Sequence, residues 1–228
     1  MSFSKQLRQE ADPIFEAIFE HPFVRGIATG NLKKEQLIHY VKQDFEYLNS
    51  FMQIYGTAIS KCENREDMQM FNEQISFVLH SEIHPHNNFC EVAGVTYEEL
   101  QGFPLSPSAH HYIRHMLTVA QTGGIADILA VLLPCPWTYA EIGKRLLEEV
   151  KPDPSHPFYD WIVFYGGGSM GITSTFCKRL DELAESLNEK KKQKLLEYFL
   201  ISCHMEYKFW DMAYTIEEWP VKLEVKAK

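Results

Sequence analysis

Apolar side chains recur at every third or fourth residue along almost all of this 228-residue chain, and almost nowhere do they alternate with the two-residue period of a strand. Between Asn31 and about Lys61 the pattern runs unbroken through Leu37, Tyr40, Val41, Phe45, Leu48, Met52, Tyr55 and Ile59. A helix of that length with one apolar stripe needs other helices to cover it. The neighbours are legible by the same period. Residues 3–20 predict a helix kinked at Pro13 or restarted after Asp12, and residues 65–90 predict another with a bend at Pro85. His21–Asn31, with Gly26 and Gly30, reads as a connection, and Asn31 as the cap of the long helix. Thr96 and Glu99 have capping-box spacing, and Ser106 or Ser108 caps a helix to about Gln121. Gly123–Gly124 separates it from Ile125–Leu133, and Pro136–Val150 follows. A helix over His156–Tyr165 ends in Gly166–Gly168, and two last helices cover about 169–187 and 189–216, joined at Asn188. The expectation is one all-α domain over residues 1–228, of eight to ten helices, without linker or repeat. The weakly alternating tail after about 220 (Val221, Leu223, Val225) is peripheral.

Composition narrows the functions. Hydrophobic residues make up 45% of the chain, enough for a sizeable core, and the 13% that are aromatic suit either a core or a pocket for a flat ligand. The net charge of −9 argues against nucleic acid as a partner, because a phosphate backbone needs a basic face. The densest basic run, Lys190–Lys192 with Lys194, lies in a helical pattern and reads as a solvated face. Five cysteines, an odd number with no CxxC, fit thiols in a reducing compartment. The N-terminus lacks the apolar core of a signal peptide, and no uninterrupted apolar stretch reaches the ~18 residues of a membrane span. A soluble, cytoplasmic protein is expected.

The chemistry concentrates at a few positions. In VLLPCPWTYAEIG, Cys135 lies between Pro134 and Pro136. With Pro136 as the first helical residue, Cys135 becomes the cap, its sulfur beside open N–H groups and the positive end of the helix dipole, a setting that favours a nucleophilic thiolate. The competing reading is an inert cysteine in a Pro-rich kink. Tyr40, Asp44, Tyr47 and Phe51 share one helical stripe, so Asp44 is an acid among rings. It either serves a ligand or pairs with a buried arginine or a tyrosine hydroxyl. Glu206 shares a face with Cys203, Phe209, Trp210 and Ala213. There it is either an acid whose pKa burial raises, or a half-exposed edge residue. Glu82 and His86 share a face near His80 and His84, but without a second matched motif they make a poor metal site, and mutual pairing or a cap at Pro85's bend is the alternative.

Together, the segments FEAIFEHPFVRGIATGNLKKEQLIHYVKQDFEYL, EIHPHNNF, LLPCPWTYAEIG, HPFYDWIVFYGGGSM and EYKFWDMAY resemble the TenA/thiaminase II family, the aminopyrimidine aminohydrolases, over about Phe15 to Trp219. The last three in that order form its specific signature. The resemblance implies a haem-oxygenase-like all-α bundle, a homotetramer, and catalysis with no cofactor and no metal. It implies hydrolysis of 4-amino-5-aminomethyl-2-methylpyrimidine to the 5-hydroxymethyl compound in thiamin salvage, and cleavage of thiamin to the same pyrimidine and the thiazole alcohol. By the same resemblance Cys135 is the nucleophile, Glu206 the proton donor and Asp44 the holder of the exocyclic amine. Tyr47 hydrogen-bonds near the sulfur; Tyr112, Tyr139 and Tyr165 line and orient the ring; Phe209 stacks near it.

Two rivals compete with this reading. One is a metal- or oxygen-dependent enzyme on the same bundle, which needs more ligands than Glu82 and His86 and has no use for Cys135. The other is a regulator of secreted-enzyme expression, against whose direct binding to DNA the acidic balance counts.

Overall fold

A computed structural model describes residues 1–81, 83–168 and 171–221. Among them the chain forms twelve α-helices and one 3-10 turn, Glu98–Leu100. The helices are α1 (Phe3–Glu10), α2 (Asp12–Phe19), α3 (Pro22–Thr29), α4 (Lys34–Lys61), α5 (Arg65–His80) and α6 (Ile83–Ala93). They continue with α7 (Pro107–Thr122), α8 (Ile125–Leu132), α9 (Pro134–Val150), α10 (Tyr159–Gly167), α11 (Gly171–Ala184) and α12 (Glu189–Thr215). No strand occurs among the described residues.

Two long helices form the axis. α4, with 28 residues, is about 42 Å long, and α12 has 27. α4 packs on α5, α6, α7 and α12, while α12 also meets α2, α8 and α9. Rings fill the space between them. Tyr40 of α4 stacks on Trp210 of α12 at 5.6 Å between centroids, and Phe89 of α6 on Trp161 of α10 at 6.0 Å. Burial of each such side chain contributes roughly 1.5–3 kcal/mol before chain entropy is set against it. The run Ile125–Val150 is long and apolar enough to cross a membrane by length and composition, but 67% of its apolar window is buried inside the molecule, as in a core helix.

Local chemistry explains where the boundaries depart from expectation. The first predicted helix breaks at Ala11 and restarts at Asp12 with Pro13 in its first turn. The supposed connection over 21–31 is mostly helix: His21 caps α3, its Nδ1 accepting from the Phe23 N–H at 3.1 Å. The buried Gly26 lies so close under Leu32 that a Cβ would collide with it, and Gly30 ends the helix at φ +69°. Two glycines in ten residues lower helix propensity, and burial of Phe23, Val24 and Ile27 overrides it. The long helix is capped at Lys33 rather than Asn31, with the Gln36 side chain accepting from the Lys33 N–H at 2.9 Å. α5 and α6 part at Ser81, not at Pro85, which sits in the first turn of α6, where its missing N–H does no harm. Ser106 precedes α7, but its hydroxyl donates to the Glu217 carbonyl, and the Glu217 carboxylate caps the helix from afar by accepting from the Ser108 N–H at 2.8 Å. α10 starts at Tyr159 and takes in Gly166 and Gly167; α11 stops at Ala184. Asn188 caps α12, as its position between the last two helices suggested. Of the peripheral tail, Leu223 and Val225 lie outside the described residues.

α9 and α10 are in backbone contact. A Cβ on Gly143 would lie 2.5 Å from the Gly166 nitrogen and the Tyr165 carbonyl carbon. That approach holds Tyr139 of α9 against Tyr165 of α10, with ring centroids 5.0 Å apart.

Candidate active site

A cavity of about 500 Å³ opens between α4, α5, α9, α10 and the start of α11. Asp44, Tyr47, Cys135, Tyr139 and Tyr165 all stand on its wall. The stripe on α4 puts Asp44, Tyr47 and Phe51 on one side, because residues three and four apart share a helical face. Phe77 of α5 and Phe164 of α10, 6.3 Å apart, flank the outer part of the space.

Cys135 is the second residue of α9, not its cap: Pro134 begins the helix and Leu133, in right-handed helical conformation, precedes it. The chain thus passes from α8 into α9 through one residue, with the Trp137 N–H reaching the Leu133 carbonyl at 3.2 Å. Two of the first three helical positions are prolines and bring no N–H. The sulfur therefore lacks the row of open N–H groups expected of a cap position. Cys135 is partly exposed, on the cavity wall, whereas Cys62, Cys90 and Cys203 are buried. Burial pushes the Cys177 thiol up to about 12 and Cys90 to about 11.

Glu206 of α12 sits one layer behind that wall, 3% exposed. Its Oε1 accepts from the Tyr112 hydroxyl at 2.7 Å and from Tyr47 at 3.4 Å, and its Oε2 lies 3.1 Å from the Thr138 hydroxyl. Burial raises its pKa to about 7, opposed by the bonds from Tyr112 and Thr138 and aided by the nearby charge of Asp44. The carboxyl is therefore fully buried and poised near neutrality, not an exposed edge residue. Burial holds Tyr47, Tyr112 and Tyr139 well above the usual phenol range, so all three are neutral hydroxyls.

Asp44 finds a partner other than the arginine or tyrosine considered from sequence. Its Oδ2 lies 2.5 Å from His86 Nε2, both side chains almost wholly buried. The His86 ring stacks on Tyr97 at 5.3 Å and 19°. His86 thus serves Asp44 and not the bend at Pro85; Glu82, its supposed companion, lies outside the described residues. Among the described residues no group of three or more His, Cys, Asp or Glu is placed to share a metal ion.

Tyr112 and Phe209 lie behind the wall as well. Tyr112 is 1% exposed, and Phe209 packs on Tyr47 at 5.2 Å and on Tyr40 at 5.8 Å. The sequence reading gave no role to Thr138 or to the Tyr40 hydroxyl, which lies 2.5 Å from that of Tyr139, and set His86 with Glu82 and not with Asp44. Tyr40 was legible on the stripe with Asp44, but nothing in a single sequence marks which hydroxyl a distant carboxyl will meet.

Comparison with known proteins bears on this arrangement. The model of the TENA/THI-4/PQQC family matches residues 8–216. The chain is 39% identical to the aminopyrimidine aminohydrolase of Bacillus subtilis, over 96% of this chain and 92% of that one. It is 35% identical to the enzyme of the same name from Halalkalibacterium halodurans, covering 96% and 98%. Among solved structures, a protein described as a TenA family transcription regulator from Silicibacter superposes with a TM-score of 0.81 at 30% identity, covering 92% of this chain and 96% of that one. A domain of unknown function with a heme oxygenase-like fold from Shewanella denitrificans superposes at 0.65 and 12% identity, covering 93% and 92%, a likeness of fold alone.

Proposed function

This chain belongs to the TENA/THI-4/PQQC family, and from that premise we propose that it is a hydrolase of thiamin salvage working by cysteine covalent catalysis. Its substrate is 4-amino-5-aminomethyl-2-methylpyrimidine, which it converts to the 5-hydroxymethyl compound and ammonia; it also cleaves thiamin to the same pyrimidine and the thiazole alcohol. The name shared by the curated relatives supports the reaction class. One observation carries the assignment: a partly exposed cysteine on the wall of an aromatic cavity, with a carboxyl that titrates near neutrality just behind that wall.

The chemistry follows from those positions. Direct displacement at the methylene carbon is slow, so the ring is made electrophilic first. Glu206 gives its proton to a ring nitrogen. The Cys135 thiolate adds to the ring carbon beside the one bearing the methylene. The electron pair of the resulting adduct expels the amine, which departs as neutral ammonia from its ammonium form and leaves an exocyclic methylene on the ring. Water adds there and gives its proton to the released ammonia (to solvent when the leaving group is the thiazole), and the sulfur departs as a thiolate as the ring regains aromaticity and returns its proton to Glu206. A positioned acid contributes roughly 10²–10⁴-fold, and covalent catalysis and orientation supply the rest. Asp44, held by His86, keeps an oxygen for the exocyclic amine. Tyr139 and Tyr165 orient the flat ring; Tyr47, whose hydroxyl lies 3.4 Å from Glu206 Oε1, hydrogen-bonds near the sulfur; Tyr112 and Phe209 hold this layer from behind.

The same reading takes residues 1–228 as one domain that works in the cytoplasm as a homotetramer, without cofactor and without nucleic acid or membrane as partner. Incubating the purified protein with each substrate and separating the products tests the function. Release of the hydroxymethylpyrimidine is expected from both. Release from neither overturns the reading.

A further inference from the structure

Thr138 is fully buried on α9, and its single hydroxyl proton faces two acceptors. Oγ1 lies 3.1 Å from the Cys135 carbonyl oxygen and 3.1 Å from Glu206 Oε2. One proton cannot serve both in full. If Oε2 carries a proton, it donates to Thr138 and Thr138 donates to the Cys135 carbonyl. If Glu206 is charged, the hydroxyl turns and donates to Oε2. The Cys135 carbonyl tolerates that loss, because the helix ladder supplies it with the N–H four residues on. Tyr112 differs: a neutral phenol 2.7 Å from Oε1, it donates there in either state, while the Tyr47 proton is shared between Oε1 at 3.4 Å and Met116 Sδ at 3.9 Å.

We propose that Thr138 is a positioning residue for the proton of Glu206, its hydroxyl reversing between acceptor and donor as the carboxyl gains and loses that proton. The inference rests on Glu206 as the proton donor of the reaction above. A buried carboxyl that must cycle between two protonation states needs a partner for each, since an unsatisfied group in the interior is penalised. A hydroxyl meets that need; a carbonyl or an N–H does not.

The titratable groups around Glu206 are Asp44 and Tyr47 from α4, Tyr112 from α7, Cys135 and Tyr139 from α9, and Cys203 on its own helix. Arg8 of α1 acts on Cys203. Asp127 of α8 is held by Lys191, and His21 at the start of α3 lies 3.8 Å from Asp211. The buried residues of α2, Phe15, Ile18 and Phe19, are apolar.

The test is an infrared titration of the substrate-free protein, with the carboxyl band of Glu206 identified by its loss in Glu206→Gln. In Thr138→Val the charged carboxylate loses its Oε2 donor, so the midpoint rises above that of wild type. The falling alkaline limb of the kcat/KM profile moves to higher pH with it, and kcat drops about 10- to 100-fold with KM little changed. Thr138→Ser restores the wild-type midpoint. If valine does not pack, Thr138→Ala is read in the same way. Equal midpoints in wild type and Thr138→Val, or a shift in Thr138→Ser as large as in Thr138→Val, overturn the inference. A midpoint shift in a protein that hydrolyses neither substrate leaves the hydroxyl's role standing and removes the proposed reaction.

Discussion

Asp44 and His86 stand 42 residues apart in the chain, yet Oδ2 of one and Nε2 of the other lie 2.5 Å apart in the interior. His86 Nδ1 is buried without a hydrogen-bond partner. Donation from Nε2 to Oδ2 satisfies the buried carboxylate and leaves Nδ1 as the ring atom without a partner. His86→Leu leaves a buried carboxylate unsupported, and a loss on the order of 3 kcal/mol is expected in denaturant unfolding. Asp44→Asn keeps the volume and loses the charge. Its KM for the aminomethylpyrimidine should rise about tenfold or more, because a charge-assisted bond to the amine becomes neutral.

Glu206 links stability to pH. Its folded pKa of about 7 lies above the 4.5 of the free group, so the folded chain binds the proton more tightly. The resulting stabilisation is complete below pH 4.5 and is lost as pH rises through about 7. At about 1.4 kcal/mol per pH unit across that gap, it is on the order of 3 kcal/mol. Wild type should lose stability between pH 5 and 8, and Glu206→Gln should lose less, as paired thermal melts would read. At pH 7 the same variant should lose about 10²–10⁴-fold in kcat/KM.

Gly143 controls the site from outside it. A side chain there meets the backbone of Tyr165 and Gly166, which cannot give way as a flexible side chain would. Gly143→Ala should push α10 off α9, separate Tyr139 from Tyr165, and cost about 1–3 kcal/mol of stability along with most of the activity. Gly56, where a Cβ meets nothing within 4 Å, is the control: Gly56→Ala in α4 should be neutral or stabilising.

The thiols should differ in reactivity. Cys177 is raised to about 12, Cys90 to about 11, and burial raises Cys62 and Cys203. Limiting iodoacetamide followed by peptide mass analysis should find Cys135 alkylated first, with the hydroxymethylpyrimidine slowing it. Cys177→Ser should leave turnover unchanged.

The helical class and the α4 stripe were legible because both are written in a local period: Asp44, Tyr47 and Phe51 face one cavity for the reason that spacing gives. α3 was not, because Gly26 and Gly30 imitate a loop until Phe23 and Ile27 are buried. The frame of Cys135 slipped by two residues because either proline can open a helix, and only the packing of α8 against α9 selects Pro134. Thr138 escaped altogether, and His86 was set with Glu82 and not with Asp44. Each acts on a carboxyl from another helix, Thr138 across 68 residues, and a separation of that kind has no periodic trace.

The most direct measurement is single-turnover mass analysis of the protein quenched with the aminomethylpyrimidine, for wild type and Cys135→Ser. Wild type should carry a pyrimidine adduct on the peptide containing Cys135. Cys135→Ser should carry none, lose nearly all turnover and still bind the hydroxymethylpyrimidine. Hydrolysis by Cys135→Ser at the wild-type rate would contradict the account.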